Sequence, residues 1–271
     1  NFSRNSKQQM KKVKKVPVVI LNGFLGSGKT TLFRSLLAQS KKKNISICGI
    51  VNDMSELDVD GELLGSTAIV ENNKSILESI SSCVLSSKKG IEKLDQAVQK
   101  LIRNESPELI IIETSGSCHP MPLIQYFKGQ KDLKLTGVFV LVDSLMFAHD
   151  FNYGENLIPE MQQNMKDGKR NTINLLVEQI MFCSHLILTK SDRIEKAKLP
   201  NIATYVQQIN PLASTHAVLF GKLTIESLFD LEEYNYLKVA QLIKELQPII
   251  QAEEETDRPY NLATKVIKDD R

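Results

Sequence analysis

The sequence predicts an α/β fold in which a mostly parallel central sheet lies between two layers of helices. Three observations predict it. Short apolar runs of strand length recur at 18–21, 45–51, 109–112, 137–142 and 185–188, each closed by Gly, Asn, Asp, Thr or Ser. Segments with apolar residues at helical spacing separate most of them, as parallel strands joined by crossover helices require. The first run also passes directly into a Gly-rich turn and then a helix, over residues 17–31.

That turn justifies the first elements. Gly23, Gly28, Lys29 and Thr30 fit G-x-x-x-x-G-K-[ST], the phosphate-loop pattern, in the strand-to-helix context it needs. The expected architecture is therefore a three-layer P-loop NTPase. Glycines at 23, 26 and 28 let backbone N–H groups approach phosphate oxygens, and the helix start adds its positive dipole end. Lys29 can then reach the β- and γ-phosphates as a point charge, while the Thr30 hydroxyl can hold Mg²⁺. Ser27 and Thr31 complete the loop.

Composition sets the outer bounds. The chain has 271 residues, 42% hydrophobic and 24% charged, which suits one large domain with tails. No apolar run approaches the roughly 18 residues of a membrane span, so no membrane partner is expected. A net charge of +2 and the absence of tryptophan give no case for nucleic acid. Cysteines at 48, 83, 118 and 183 are widely spaced, and no apolar leader precedes the first strand, so a reducing cytoplasm is expected. Cys48 and Cys183 lie in apolar segments and read as small core residues.

In chain order, residues 1–15 carry six cations and no acid and are expected as a flexible basic tail. Because the chain begins with Asn, Met10 is read as a candidate start. Residues 16–250 form the expected domain, and 251–271 an acidic, then mixed-charge exit segment. The second strand, 45–51, runs into Asn52-Asp53-Met54-Ser55-Glu56 and on to Asp60. This acidic loop stands where ligands bind in open α/β sheets, outside strand carboxyl ends. A helix is expected at 90–103, with Leu94, Ala97, Val98, Leu101 and Ile102 as its apolar stripe.

Leu109-Ile110-Ile111-Ile112-Glu113-Thr114-Ser115-Gly116 reads as the NTPase strand whose acidic tip acts on Mg²⁺, with the Gly116 N–H at the γ-phosphate. Another buried strand covers 137–143. The polar stretch from Phe147 to Thr172, with Gly154, Pro159 and Gly168, is expected as a mobile insertion. A helix at 172–182 leads to a strand at 184–188 and the loop Thr189-Lys190-Ser191-Asp192. There Asp192 could accept hydrogen bonds from guanine N1 and N2, which adenine cannot supply, with the Lys190 stem packed on the ring. A helix at 199–209, a strand at 215–221 containing a structural His216, and helices at 224–229 and 236–247 complete the chain.

Together these stretches resemble the CobW-like metallochaperone GTPases, including the YciC-type members associated with zinc limitation. The resemblance spans about residues 16–231. It rests on Leu21-Asn22-Gly23-Phe24-Leu25-Gly26-Ser27-Gly28-Lys29-Thr30-Thr31, Val51-Asn52-Asp53-Met54-Ser55-Glu56, Glu113-Thr114-Ser115-Gly116, Leu176-Val177-Glu178-Gln179-Ile180 and Asn210-Pro211-Leu212-Ala213. It implies a GTPase of the dimerising type whose hydrolysis gates delivery of a metal, zinc in first place, to a client protein. Lys29, Glu113 and Asp53 would be catalytic. The phosphate loop, Gly116, Lys190 and Asp192 would hold GTP, and Thr30 and Glu113 would hold Mg²⁺. Asp53, Glu56 and Asp60 would belong to the switch loop. Members commonly carry a further C-terminal domain, for which no room is expected after residue 255.

One departure is plain. The family's Cys-x-Cys-Cys metal motif here reads Cys83-Val84-Leu85-Ser86, and zinc normally takes about four ligands. Cys83 with Glu56 is the candidate metal pair, and Asp53, Cys118 or His119 could complete it if the loops converge. Two rival functions follow: an interaction switch gated by GTP that has lost metal handling, and a small-molecule kinase using the same phosphate loop.

Overall fold

Strand β1 (Val16–Gly23) is buried on both faces, which its unbroken run Val18-Val19-Ile20-Leu21 dictates: a strand without polar alternation must be covered from both sides. The computed structural model describes residues 15–53, 75–169, 171–218, 223–241 and 244. In it β1 is the middle of a seven-stranded sheet of order β3-β2-β4-β1-β5-β6-β7. The other strands are β2 (Ile47–Asp53), β3 (Ser75–Ser81), β4 (Leu109–Glu113), β5 (Leu133–Asp143), β6 (His185–Thr189) and β7 (Ser214–Ala217). Every neighbouring pair is parallel. All strand carboxyl ends therefore open on one edge, where ligands of such sheets bind.

The helices are α1 (Lys29–Lys43), α2 (Lys88–Glu105), α3 (Pro120–Lys128), α4 (Ser144–Asp150), α5 (Leu157–Lys166), α6 (Thr172–Phe182), α7 (Leu199–Ile209) and α8 (Ile225–Phe229), with α9 over 236–241. Period-two alternation along the strands divides the core between the two faces. On one, Val18, Ile20, Ile110, Ile112, Val138 and Val140 meet Leu94 and Val98 of α2, Leu123 of α3, Val177 and Ile180 of α6 and Val206 of α7. On the other, Val19, Leu21, Ile111, Phe139 and Leu141 meet Leu32, Phe33, Leu36 and Leu37 of α1 and Ile225 and Leu228 of α8.

The residues 147–172 are a correction to the expected mobile insertion. They form most of α4, a 3-10 turn at Asn152–Gly154, and α5, pinned by buried Phe147, Phe151, Leu157 and Met161. A few well-spaced apolar anchors suffice to dock a helical segment whose remaining side chains face water. Two elements are additional to the expectation. β3 is an edge strand of mixed polarity, and α3 starts with Pro120 in its first turn. β5 begins four residues earlier than expected, pairing Val16 to Leu133. The expected basic tail (apart from Lys15), the exit segment, and most of the acidic loop lie outside the described residues. Among the described residues, no helix is long and apolar enough to cross a membrane.

Candidate functional site

The phosphate loop follows β1 at the centre of the sheet's carboxyl edge. Gly23 has φ +133°, and a Cβ there would stand 2.2 Å from the Leu141 carbonyl of β5, so the chain can turn at this point only without a side chain. Gly28, at φ +94°, starts α1 with no side-chain cap. The first N–H groups of α1 are thus left to an outside acceptor, and a helix start of this kind is an anion site. The Ser27 N–H donates to the Phe24 carbonyl at 3.2 Å, which curls the loop. Thr31 is exposed and the Ser27 side chain is buried.

Lys29 lies over this loop. Its Nζ donates to the carbonyls of Gly23 at 2.7 Å and Phe24 at 2.8 Å. Burial pulls the Lys29 pKa down, opposed by the nearby Glu113 carboxylate and Cys118. A buried ammonium hydrogen-bonded to neutral carbonyls is poised for an anionic ligand. Thr30 Oγ1 donates to Glu113 Oε1 at 2.5 Å. The loop hydroxyl and the carboxylate at the tip of β4 are thereby brought together, a pair of hard oxygen donors of the kind Mg²⁺ takes.

The chain after Glu113 is tied back to β1. The Thr114 N–H donates to the Leu21 carbonyl at 3.0 Å, and Thr114 Oγ1 donates to Asn22 Oδ1 at 3.1 Å. Gly116 abuts the loop so closely that a Cβ would be 2.8 Å from the Leu25 nitrogen. Beside it opens a cleft of about 760 Å³, lined among others by Phe24, Leu25, Gly116, His119, Met146 and Leu175. This cleft lies on the Gly116 side of the loop, and Lys190 and Asp192 are not among its lining residues.

At the end of β6, Thr189 Oγ1 donates to the Ser27 carbonyl at 2.8 Å and to the Val142 carbonyl at 3.2 Å. Lys190, in the left-handed region at φ 52°, pairs its Nζ with Asp143 Oδ2 at 2.5 Å. Asp192 follows in a 3-10 turn and is exposed. The structure thus sets the two residues of the expected base-reading loop beside the phosphate loop, with Thr189 as the tie between them.

The candidate metal residues are not brought together by the described part. Cys83 is 8% exposed and Cys118 is fully buried; burial pushes the Cys118 thiol up to about 11. His119 Nδ1 donates to Glu178 Oε2 at 2.7 Å. Among the described residues no group of three or more His, Cys, Asp and Glu could hold a metal ion. The Asp53 backbone closes β2, but its side chain, with Glu56 and Asp60, lies outside the described residues.

Sequence reasoning left three buried amides without a role. Asn22 Oδ1 accepts from the Gly23 N–H at 2.7 Å and from Gln179 Nε2 at 3.1 Å. Asn52 Nδ2 donates to the carbonyls of Ile80 and Cys83. The signal was present: Asn22 and Gln179 are polar residues inside apolar runs, and buried amides occur where they satisfy backbone groups.

A strand, a glycine cradle, an uncapped helix start with its lysine, and an acidic strand tip beside the loop hydroxyl define a P-loop nucleotide-binding domain. Residues 17–217 match the family model "CobW/HypB/UreG, nucleotide-binding domain". The chain belongs to that family. It is 29% identical over 256 residues to the zinc-regulated GTPase metalloprotein activator 1 of Dictyostelium discoideum, covering 84% of this chain and 53% of that protein. It is 31% identical over 197 residues to the zinc chaperone CobW of a Sinorhizobium species, covering 68% and 53%, and 26% identical over 224 residues to the zinc chaperone YjiA of Escherichia coli strain K12, covering 79% and 61%. The chain spans about half the length of the first two relatives.

Proposed function

We propose that this chain binds and hydrolyses GTP with Mg²⁺, and that hydrolysis gates the transfer of a metal ion, zinc in first place, to a client protein. The observation that carries the nucleotide half is the cradle itself: positive-φ glycines, an uncapped α1, and a buried Lys29 whose Nζ, among the described residues, is bonded to the carbonyls of Gly23 and Phe24 and to no carboxylate. Lys29 neutralises the phosphate tail, and the Gly116 N–H faces the terminal phosphoryl group. Asp192 accepts from the guanine edge while Lys190, steadied by Asp143, covers the ring. Asp53, at the end of β2, is the candidate for orienting the attacking water. Thr30 and Glu113 would hold Mg²⁺, which supplies charge neutralisation across the phosphates.

The metal half draws on the names of the relatives and on Cys83 at the motif position. Zinc is the cargo in this reading, and its remaining ligands would come from the acidic loop that contains Glu56 or from the client. A GTP-dependent homodimer belongs to the same reading. The alternative, an interaction switch without metal, draws only on the single thiolate at this motif.

Titration calorimetry of the purified chain with GTP, GDP and ATP in Mg²⁺ tests the first half. GTP and GDP should bind and ATP should bind far more weakly; a preference for ATP would remove the guanine assignment. Zinc titration with and without nucleotide tests the second half, where an affinity unmoved by nucleotide would argue against metal delivery.

A further inference from the structure

The turn that carries Gly116 is fastened at both ends and closed across itself by the Cys118 N–H, which donates to the Ser115 carbonyl at 3.1 Å. At its start, Thr114 N–H donates to the Leu21 carbonyl and Ser115 N–H to Asn52 Oδ1 at 3.4 Å. At its close, the Cys118 carbonyl accepts from Asn22 Nδ2 and from Gln179 Nε2, each at 3.2 Å, and the His119 ring donates to Glu178 at 2.7 Å. Glu178 and Gln179 are neighbours on α6. Leu176, Val177 and Ile180 of that helix are buried in the core, so α6 is a rigid mount.

Gln179 has a second bond, from Nε2 to Asn22 Oδ1 at 3.1 Å, and Asn22 in turn takes the Gly23 N–H at the root of the phosphate loop. One buried side chain therefore references the Gly116 turn and the phosphate loop to the same helix. Gly116 already touches the loop backbone. A displacement of a few tenths of an ångström at Cys118 would move the Gly116 N–H relative to any phosphate in the cradle.

We propose that Glu178 and Gln179 are positioning residues: from α6 they set where the Gly116 N–H stands over the phosphate loop, and so govern discrimination between nucleoside triphosphate and diphosphate. They touch neither nucleotide. The inference rests on the nucleotide reading above. Diphosphate lacks the group that Gly116 faces, so its binding is indifferent to the clamp, whereas triphosphate binding and turnover depend on it.

The test compares the parent with Gln179→Met, Glu178→Ala and Glu178→Gln, using GDP and a non-hydrolysable GTP analogue in calorimetry, with GTP turnover alongside. Loss of one well-placed hydrogen bond predicts a fall of about tenfold in the triphosphate-to-diphosphate affinity ratio for Gln179→Met and Glu178→Ala. GDP affinity should stay within about twofold, an amount below the loss of a hydrogen bond. Glu178→Gln still accepts from the His119 ring and should recover most of the ratio. Equal loss for both nucleotides, or an unchanged ratio, would overturn the proposal. Should Gln179→Met not fold, the two Glu178 variants decide alone, because that side chain sits at a partly exposed position. A parent that binds neither nucleotide would defeat the functional reading itself, whereas a parent that binds both with variants of unchanged ratio would defeat only this inference.

Discussion

Thr189 Oγ1 donates to the Ser27 carbonyl at 2.8 Å, across 162 residues of sequence. This bond joins the loop assigned to the base to the loop assigned to the phosphates, so the two ends of a nucleotide would meet a single pre-set surface. Thr189→Val keeps the shape and removes the donor. Two buried carbonyls, of Ser27 and Val142, then lose a partner, and nucleotide affinity should fall by about 1–2 kcal/mol, or roughly five- to thirtyfold. Thr189→Ser should fall far less. Calorimetry with GDP reads both.

Asp192 is exposed and free of the Lys190–Asp143 ion pair. An acceptor-only carboxylate matches the two donors on the guanine edge. Asp192→Asn brings a donor to that edge, so GTP affinity should drop about tenfold or more. Xanthosine triphosphate, which has a carbonyl where guanine has an amino group, should gain. Equal effects on both nucleotides in competition binding would speak against Asp192 as the reader of the base.

His185 on β6 lies 4.6 Å from the Phe139 ring and 5.7 Å from the His216 ring, centroid to centroid. Burial first, and His216 second, pull its pKa down to about 4. The unfolded chain therefore binds a proton here that the folded chain refuses. Stability at this site is full above about pH 6.5, the unfolded value, and declines as pH falls toward about 4. Discounted for partial exposure, the loss is on the order of 1 kcal/mol. Urea midpoints at pH 7.5 and 5 should separate in the parent and separate less in His185→Gln.

Asn210 makes a stability prediction remote from the loops. Its Nδ2 donates to the carbonyls of Ile180 at 2.8 Å and Cys183 at 2.9 Å, tying the end of α7 to the end of α6. Asn210→Ala takes this donor from both buried carbonyls, of which that of Ile180 still accepts from the Cys183 N–H at 3.3 Å, and should cost about 1–2 kcal/mol of unfolding free energy. Nucleotide affinity per folded molecule should be unchanged. Denaturation and calorimetry on the same preparation check the two halves.

The phosphate loop was legible because its signal is local: glycines, lysine and threonine fall within Gly23–Thr30, and the turn they make needs little from the rest of the fold. Helices α6 and α7 were legible to the residue, since Asn171 caps one and Pro200 opens the other. β3 was not, because Ser75–Ser81 is half polar and acquires strand character only by pairing with β2 along Ile47–Asp53. The stretch at 147–172 misled because polar composition hides a few buried anchors. The Asn22–Gln179 bond spans 157 residues, a separation at which sequence spacing carries no signal. Lys190 and Asp192 stand out in the sequence by their place after an apolar strand, whereas the hold of Thr189 on the phosphate loop is visible only in three dimensions.

The most direct measurement is calorimetric titration of GTP with Mg²⁺ into the parent and into Lys29→Ala. Lys29 sits buried over the loop with its Nζ bonded to the carbonyls of Gly23 and Phe24, and its charge-assisted bonds to phosphate should contribute about 2 kcal/mol or more. The parent should bind one GTP, and the variant should bind at least about thirtyfold more weakly. Equal affinity in the two, or no binding by the parent, would contradict the assignment of this loop to a nucleoside triphosphate.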